Sequence, residues 1–218
     1  LVVDGVRMNN AIYRNGHLQN SISIDNSILE QAEIIYGPGA LMYGSDALGG
    51  VVHYKTRDPK LHLSGDGYYQ FETNAFTRFS TANSEKTVHL DLDYGTDRWG
   101  SLTSMTYSDY GDLRSGNNRP EGYEDYGKRK FFVFRNEGID EIIEGDPDLQ
   151  RGTKYSQIDF LQKVKFQPSE YLYFVLNLQY SNSSDIPRYD NLVDTVGAAD
   201  ELKWAEWYYG PQQRMLAS

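Results

Sequence analysis

The sequence contains no cysteine and no long hydrophobic run. The missing thiols exclude a disulfide scaffold and a thiolate metal site. No stretch approaches the roughly 18 to 20 uninterrupted apolar residues that a transmembrane helix needs. Basic charge is also scarce, because 21 Lys and Arg stand against 31 Asp and Glu, for a net charge of -10. An acidic chain does not displace counterions from phosphates, so we expect no nucleic-acid partner.

Aromatic residues, in contrast, are abundant at 14% of the 218 residues, with 18 Tyr against 9 Phe and 3 Trp. Tyr suits surfaces that are half apolar and half wet. The mean hydropathy of -0.63 is low. A transmembrane β-barrel nevertheless stays polar on average, because lipid-facing and lumen-facing residues alternate. Composition therefore leaves a soluble β-protein and a membrane barrel both open.

Residues 1–59 show short strands separated by glycines. Asp25 or Ser27 is placed to cap a short helical turn, whose apolar face would be Ile28, Leu29 and Ala32. Strands are predicted at 33–36 and, after a glycine-rich stretch, at 51–56. Leu1 opens directly into an apolar run and the last residues carry no turn signal, so we expect an internal piece of a longer protein.

From residue 61 onwards, apolar and polar residues alternate with a period of two, which predicts antiparallel strands. The first predicted strand carries Leu61, Leu63, Tyr69 and Phe71 on one face. Later strands are predicted at 88–94, 99–107, 157–166 and 172–180, with another starting near residue 214. The side chains expected to face lipid are Leu90, Leu92, Phe174 and Leu176.

The connections between these strands alternate in length. Short links at 95–98 and 167–170 contrast with long polar links at about 109–154 and 182–212. Outer-membrane barrels have short periplasmic turns and long external loops. A soluble β-sandwich or an extracellular binding module is the alternative, but neither explains why every second connection is long. Aromatic residues also flank the short turns, as an interfacial girdle would: Tyr94, Trp99, Phe166 and Tyr171.

Two segments, Val3 to Arg7 and Glu33 to Val52, resemble the plug of TonB-dependent receptors. Residues 83–110 and 207–212 resemble barrel segments of such receptors from the Bacteroidetes. The family commonly has Arg where this chain has Tyr36, and that Arg is thought to pair with carboxylates on the barrel wall, so this salt bridge is not carried over. The matching plug motif residues are Asp4, Gly5, Arg7, Gly37, Pro38, Tyr43, Gly44, Gly49 and Gly50.

The resemblance implies an all-β membrane fold, a fragment of an antiparallel barrel of about 22 strands with an N-terminal α+β plug domain. Residues 1–59 would be the C-terminal part of the plug, and residues 60–218 roughly the first five to six barrel strands with long external loops. The implied function is TonB-dependent import of a scarce ligand across the outer membrane of a Gram-negative bacterium. Implied partners are the TonB–ExbB–ExbD complex, outer-membrane lipid and a surface lipoprotein.

No catalysis is expected, because the sequence shows no Ser/His/Asp, Cys/His or metal-ligand spacing. Resemblance to the haemoglobin and haem receptor group instead favours haem or another iron chelate as the transported ligand, with no intrinsic cofactor. A cobalamin, siderophore or peptide importer of the same family stays open. A non-transporting adhesin or pore is the alternative from a different class, but such barrels lack the plug motif.

Residues 9–20 fall where the apical loop of the plug would face outwards. There His17 could ligate haem iron, Tyr13 could serve similarly, and Arg14 could pair with a propionate. Aromatic residues of the long loops offer flat faces to a ligand: Tyr110, Tyr123, Tyr126, Trp204, Trp207, Tyr208 and Tyr209. The loop acids are candidate Ca²⁺ ligands or simply solvated: Asp140, Glu141, Glu144, Asp146, Asp148, Asp185, Asp190 and Asp194.

Overall fold

The computed structural model describes residues 1–8, 23–37, 43, 49–62, 68–192, 195–196, 201–202 and 204–218. Residues 1–59 are called the N-terminal segment, and their strands form a small four-stranded sheet. From residue 70 onwards, six strands form a second sheet, called the large sheet. Within these described residues, no helix is long and apolar enough to cross a membrane.

The small sheet has the strand order β2-β1-β4-β3. β1 pairs in parallel with β4, and the other pairs are antiparallel. Asp4 and Gly5 form the turn between β1 and β2 with φ angles of 47° and 79°, a left-handed backbone that suits glycine. The strands are β1 (Val2–Val3), β2 (Val6–Arg7), β3 (Leu29–Tyr36) and β4 (Gly50–Thr56).

A 3-10 turn at Asn26–Ile28 precedes β3, and Asp25 caps it by accepting a hydrogen bond from the Ser27 backbone N–H at 2.8 Å. The predicted helical turn is therefore present, but its predicted apolar face is wrong. Leu29 and Ala32 belong to β3, which starts at Leu29 rather than at residue 33. Pairing with β4 explains the difference, because the ladder extends to Leu29 opposite Thr56.

The large sheet is antiparallel throughout, with the order β16-β13-β12-β7-β6-β5. Its strands are β5 (Gln70–Ser80), β6 (Glu85–Gly95), β7 (Trp99–Tyr110), β12 (Tyr155–Ser169), β13 (Leu172–Pro187) and β16 (Tyr208–Ala217). The connections between them hold β8 (Leu113–Arg114), β9 (Phe131–Asn136), β10 (Ile139–Glu144), β11 (Leu149–Gln150), β14 (Thr195–Val196), β15 (Glu201–Leu202) and the single helical turn α1 (Tyr189–Leu192).

The first predicted strand is misplaced, because β5 begins at Gln70 and Leu61 lies outside any strand. Leu63 lies outside the described residues. The chain here crosses the turn between β6 and β7: the His62 N–H donates to the Thr96 carbonyl at 3.0 Å. Gly95 permits this crossing, since a Cβ there would lie 2.4 Å from the Lys60 carbonyl oxygen. Alternating residues alone do not distinguish such a crossing from a strand.

Two connections at one end of the large sheet are short: 96–98 between β6 and β7, and 170–171 between β12 and β13. At the other end, the connections at 111–154 and 188–207 are long. At that other end, however, residues 81–84 join β5 to β6 in a tight turn. The expectation that every second connection is long is therefore wrong for this first hairpin. The long connection 111–154 also contains two ladders of its own, β9 with β10 and β8 with β11.

Candidate functional site

The large sheet buries its polar face and exposes its apolar face. On β6, His89 is 1% exposed whereas its neighbour Leu90 is 44% exposed. The same inversion holds on β13, where Asn177 is buried and Leu176 is 51% exposed. The predicted outward orientation of Leu90, Phe174 and Leu176 is confirmed by their exposure, while their contact with lipid stays a prediction. Leu92 is partly exposed on the same face.

The N-terminal segment covers this polar face, and the densest contact surrounds Asp4. Its carboxylate accepts hydrogen bonds from the Asn177 Nδ2 at 2.9 Å and the Gln179 Nε2 at 2.7 Å, both on β13. Lys163 of β12 places its ammonium 3.0 Å from Asp58 Oδ1 and 3.1 Å from the Thr56 carbonyl oxygen. Six residues make these contacts and are called the Asp4 cluster: Asp4, Thr56, Asp58, Lys163, Asn177 and Gln179.

A second polar network joins two parts of the N-terminal segment through the large sheet. Arg57 forms an ion pair with Asp91 at 2.7 Å, and the Asp91 carboxylate lies 2.9 Å from the His89 Nε2. The other ring nitrogen of His89 lies 2.7 Å from the Thr106 hydroxyl, which donates to Asp25 at 2.6 Å. The buried His89 is therefore satisfied at both nitrogens, as expected for a structural histidine.

Apolar contacts join the two sheets at two further places. Ile28 packs with Leu102 and Leu161, which point inward from β7 and β12. Val3 and Ile24 pack with Leu216 of β16. The N-terminal segment is thus held to the large sheet by both apolar and charged contacts.

A cavity of about 220 Å³ lies between the Asp25 turn and the large sheet, towards the end that carries the long connections. Tyr110 and Tyr155 stand side by side in its wall, with ring centroids 4.7 Å apart. Its lining is mainly polar, which favours water or a polar group over an apolar ligand. The remaining lining residues are Ile24, Asp25, Asn26, Ser27, Arg78, Thr106, Ser108, Gln157 and Asp159.

The two long connections contact each other. Arg129 donates to the Leu192 carbonyl at 2.8 Å and lies 5.3 Å from the centre of the Tyr189 ring, whose hydroxyl donates to Gln150. Burial in this contact lowers the pKa of the Arg129 guanidinium and raises the pKa of the Tyr189 hydroxyl. The two long connections are therefore joined to each other through Arg129. Tyr123 and Tyr126 stay exposed beside this contact.

Two of the loop acids are paired with arginine. Arg114 Nη1 donates to Asp146 at 2.6 Å, and this hydrogen bond holds the pKa of Asp146 below its usual range. Arg119 lies 2.5 Å from Asp148. In the part of the chain that the structure describes, no three His, Asp or Glu side chains converge on a metal position. The side chains of Asp140, Asp190 and Asp194 lie outside that part, so calcium binding stays a prediction.

The structure describes some of the predicted site residues and not others. Tyr13, Arg14, His17, Pro38 and Gly44 lie outside the described residues, so ligand contact by the first three stays a prediction. Tyr43 packs against the core formed by Val2 and Val51. Gly37 and Gly50 have φ angles of 88° and 141°. Gly49 precedes β4, Gly5 shares the turn with Asp4, and Arg7 ends β2.

Sequence reasoning missed the role of Lys163, Asn177 and Gln179 as partners of the N-terminal segment. The available signal was their position, because Lys163 and Asn177 face each other in the ladder between two strands with alternating polar residues. Tyr36, the position at which the family commonly has Arg, is 85% exposed.

Comparison with known proteins bears on the N-terminal segment. Residues 1–51 match the TonB-dependent Receptor Plug Domain. This match supports the TonB-dependent receptor family. A hemin receptor of Yersinia enterocolitica is 47% identical over 57 residues, which are 26% of this chain and 8% of that protein. A hemin receptor of Yersinia pestis is 49% identical over 57 residues, with the same shares of 26% and 8%.

The Vitamin B12 transporter BtuB of Vibrio vulnificus (strain YJ016) is 45% identical over 56 residues, which are 26% of this chain and 9% of that protein. The matched segment of this chain therefore covers only 8 to 9% of the length of these relatives. The resemblance to TonB-dependent receptors is supported at the level of the family, whereas the Bacteroidetes type stays a prediction. The relatives named here are receptors and transporters rather than enzymes.

Proposed function

We propose that this chain is part of a TonB-dependent importer in the outer membrane of a Gram-negative bacterium. In this proposal residues 1–59 are the C-terminal part of the plug, and the large sheet is the first part of the barrel wall. The observation that carries the proposal is the inverted large sheet, whose buried polar face meets a segment that matches plug domains while its apolar face is exposed.

Lipid is the environment that suits the exposed face. A contiguous apolar surface of this kind is unfavourable in water, whereas alternation of apolar outer and polar inner residues is the pattern of transmembrane barrels. Aromatic pairs near the short turns support the same assignment, because aromatic girdles lie at membrane interfaces. The rings of Trp99 and Phe166 stack with their centroids 4.2 Å apart, and the ring centroids of Tyr69 and Tyr94 are 5.8 Å apart.

Import in this proposal involves no covalent chemistry. Ligand binding at the external loops and the plug apex shifts the plug between conformations, and the TonB–ExbB–ExbD complex supplies the pull that opens a path. A surface lipoprotein is a further candidate partner, because the exposed Tyr123 and Tyr126 suit a protein surface as well as a small ligand.

Haem or another iron chelate is the proposed ligand. Similarity to two hemin receptors supports it, and similarity to a Vitamin B12 transporter keeps cobalamin as the alternative. We place His17, Tyr13 and Arg14 at the plug apex as the contacts, with His17 as the iron ligand. The aromatic faces of the long loops would cover the macrocycle from outside.

Transport is tested by uptake in cells that produce the full-length protein, with and without TonB. Loss of uptake without TonB is the expected result. Uptake or surface adhesion that is unchanged without TonB would support the non-transporting pore or adhesin instead. Parallel uptake assays with haem, cobalamin and a ferric siderophore identify the class of ligand.

Ligand contact is tested by titrating haem into the purified full-length protein and following the absorbance. We expect His17→Ala to weaken binding and change the spectrum. His53→Ala is the matched control, because His53 contacts Gly5 and Glu33 inside the N-terminal segment. Unchanged affinity in the His17 variant would remove His17 from the site, and no haem binding at all would favour siderophore, cobalamin or peptide.

A further inference from the structure

Lys163 is a charged residue of the large sheet that is buried under the N-terminal segment, with 3% of its side chain exposed. Its ammonium lies 3.1 Å from the Thr56 carbonyl oxygen, 3.0 Å from Asp58 Oδ1 and 3.5 Å from Asp4 Oδ2. Across the described residues, the polar contacts of this ammonium are all with the N-terminal segment. A buried ammonium is costly unless it is paired, so its position depends on that segment.

The Asp4 carboxylate is enclosed from both sides. The Thr56 N–H and hydroxyl donate to it at 2.8 and 2.7 Å from within the N-terminal segment. The amides of Asn177 and Gln179 donate to it from the large sheet. Arg214 donates to the Gln179 Oε1 at 2.9 Å, which turns the amide nitrogen of Gln179 towards Asp4. The large sheet thus presents a preformed set of donors for one carboxylate.

The Asp4 cluster also joins the two ends of the N-terminal segment. Asp4 lies in the turn after β1, whereas Thr56 and Asp58 lie at and beyond the end of β4. β1 and β4 are parallel neighbours, so a single residue of the large sheet contacts both. Lys165 lies on the same face of β12, but its ammonium lies 5.4 Å from the centre of the Tyr173 ring instead. The contact is therefore particular to Lys163.

We infer that Lys163, with Asn177 and Gln179, is a positioning residue that retains the plug in the barrel until import begins. The inference rests on the proposed function and adds the site at which release is controlled. A charged contact suits a reversible role, because water in a polar lumen can solvate the separated ammonium and carboxylates.

The test measures ion conductance of the full-length protein in planar lipid bilayers as urea is raised, because displacement of the plug opens the lumen. Lys163→Met keeps the length of the aliphatic stem and removes the charge. We expect it to raise the open fraction about tenfold at a fixed urea concentration. Lys165→Met, two positions along the same strand, is the matched control and should behave as the wild type.

Asp4→Asn removes a charge from the same contact on the side of the N-terminal segment. Because this change leaves the large sheet unaltered, it still tests the inference if Lys163→Met fails to fold. The double variant should open little more readily than either single variant, because both changes remove the same interaction. Wild-type behaviour of Asp4→Asn and Lys163→Met would overturn the inference. Equal effects of Lys163→Met and Lys165→Met, or simple addition in the double variant, would also overturn it.

The conductance measurement uses no TonB and no ligand, so it separates this inference from the proposed function. Uptake that is independent of TonB would reject active import while leaving the retention of the N-terminal segment by Lys163 intact. Conversely, TonB-dependent uptake together with unchanged conductance in the Lys163 variant would retain the proposed function and reject the role of Lys163.

Discussion

The two sheets of this protein bury opposite kinds of side chain. The small sheet buries mainly apolar residues, namely Val2, Val3 and Val51, with Thr56 at its end as a polar exception. The large sheet buries His89, Asp91 and Lys163 and exposes a broad apolar face. The strands of the large sheet alternate between buried and exposed residues, as β6 does, but alternation alone does not say which face is inside. Which face is buried in the large sheet is decided by the N-terminal segment that covers it, because that segment supplies partners for the polar side chains.

The clearest exception to this contrast between the sheets is Leu102, a fully buried leucine among the polar residues of the large sheet. Leu102→Ala should destabilise the protein by about 2 to 5 kcal/mol, because it leaves a cavity against Ile28 and Leu161. Unfolding by denaturant in lipid vesicles measures the change. Leu90→Ala on the outward face is the control and should cost less. Equal losses in the two variants would mean that the outward face is as closely packed as the inward one.

Leu176→Arg tests the outward face directly. The charge should cost roughly 2 to 4 kcal/mol of unfolding free energy if Leu176 lies near the bilayer midplane. The matched control is Tyr171→Arg, at the turn between β12 and β13, where a charge near the interface should cost roughly 0 to 1 kcal/mol. A change within about 0.5 kcal/mol for Leu176→Arg would say that this face does not meet lipid.

Gly95→Ala tests how closely the chain after the N-terminal segment approaches the large sheet. The new Cβ would lie 2.4 Å from the Lys60 carbonyl oxygen, so residues 59–62 must shift, at an expected cost of about 1 to 3 kcal/mol. Hydrogen exchange at the His62 amide reports the displacement. Gly116→Ala is the control, because a Cβ there meets nothing within 4 Å. Unchanged exchange in the Gly95 variant would contradict the close approach.

The smallest expected effect concerns the loops, where charges stay in water. Arg114 lowers the folded-state pKa of Asp146 below the unfolded value, so the contribution of this pair is present above the unfolded pKa of about 3.9 and is lost as pH falls through the lower folded pKa. Carbon NMR of the Asp146 carboxyl measures the titration. We expect Arg114→Gln to raise this pKa towards its ordinary value, and an unchanged titration would show that the ion pair does not persist in solution.

Prediction from the sequence succeeded where a strand has a regular environment on both faces. β6 was expected at 88–94 and spans Glu85–Gly95, because its apolar and polar residues alternate throughout. It failed at Leu61, which continues the alternation although the chain crosses the turn between β6 and β7 at residues 60–62. It also ended β13 too early. That strand runs to Pro187 through small polar residues that face inward, such as Ser181 and Ser183.

The sequence by itself determined the plug motif, the alternating faces and the position of the short turns, because each depends on neighbouring residues and on backbone preferences. Only the tertiary structure decided which polar side chains meet. Asp4 and Asn177 form a hydrogen bond although they are 173 residues apart. Their pairing depends on the placement of the N-terminal segment against the large sheet. Local patterns do not contain that information, since any inward-facing polar residue of the large sheet satisfies the same alternation.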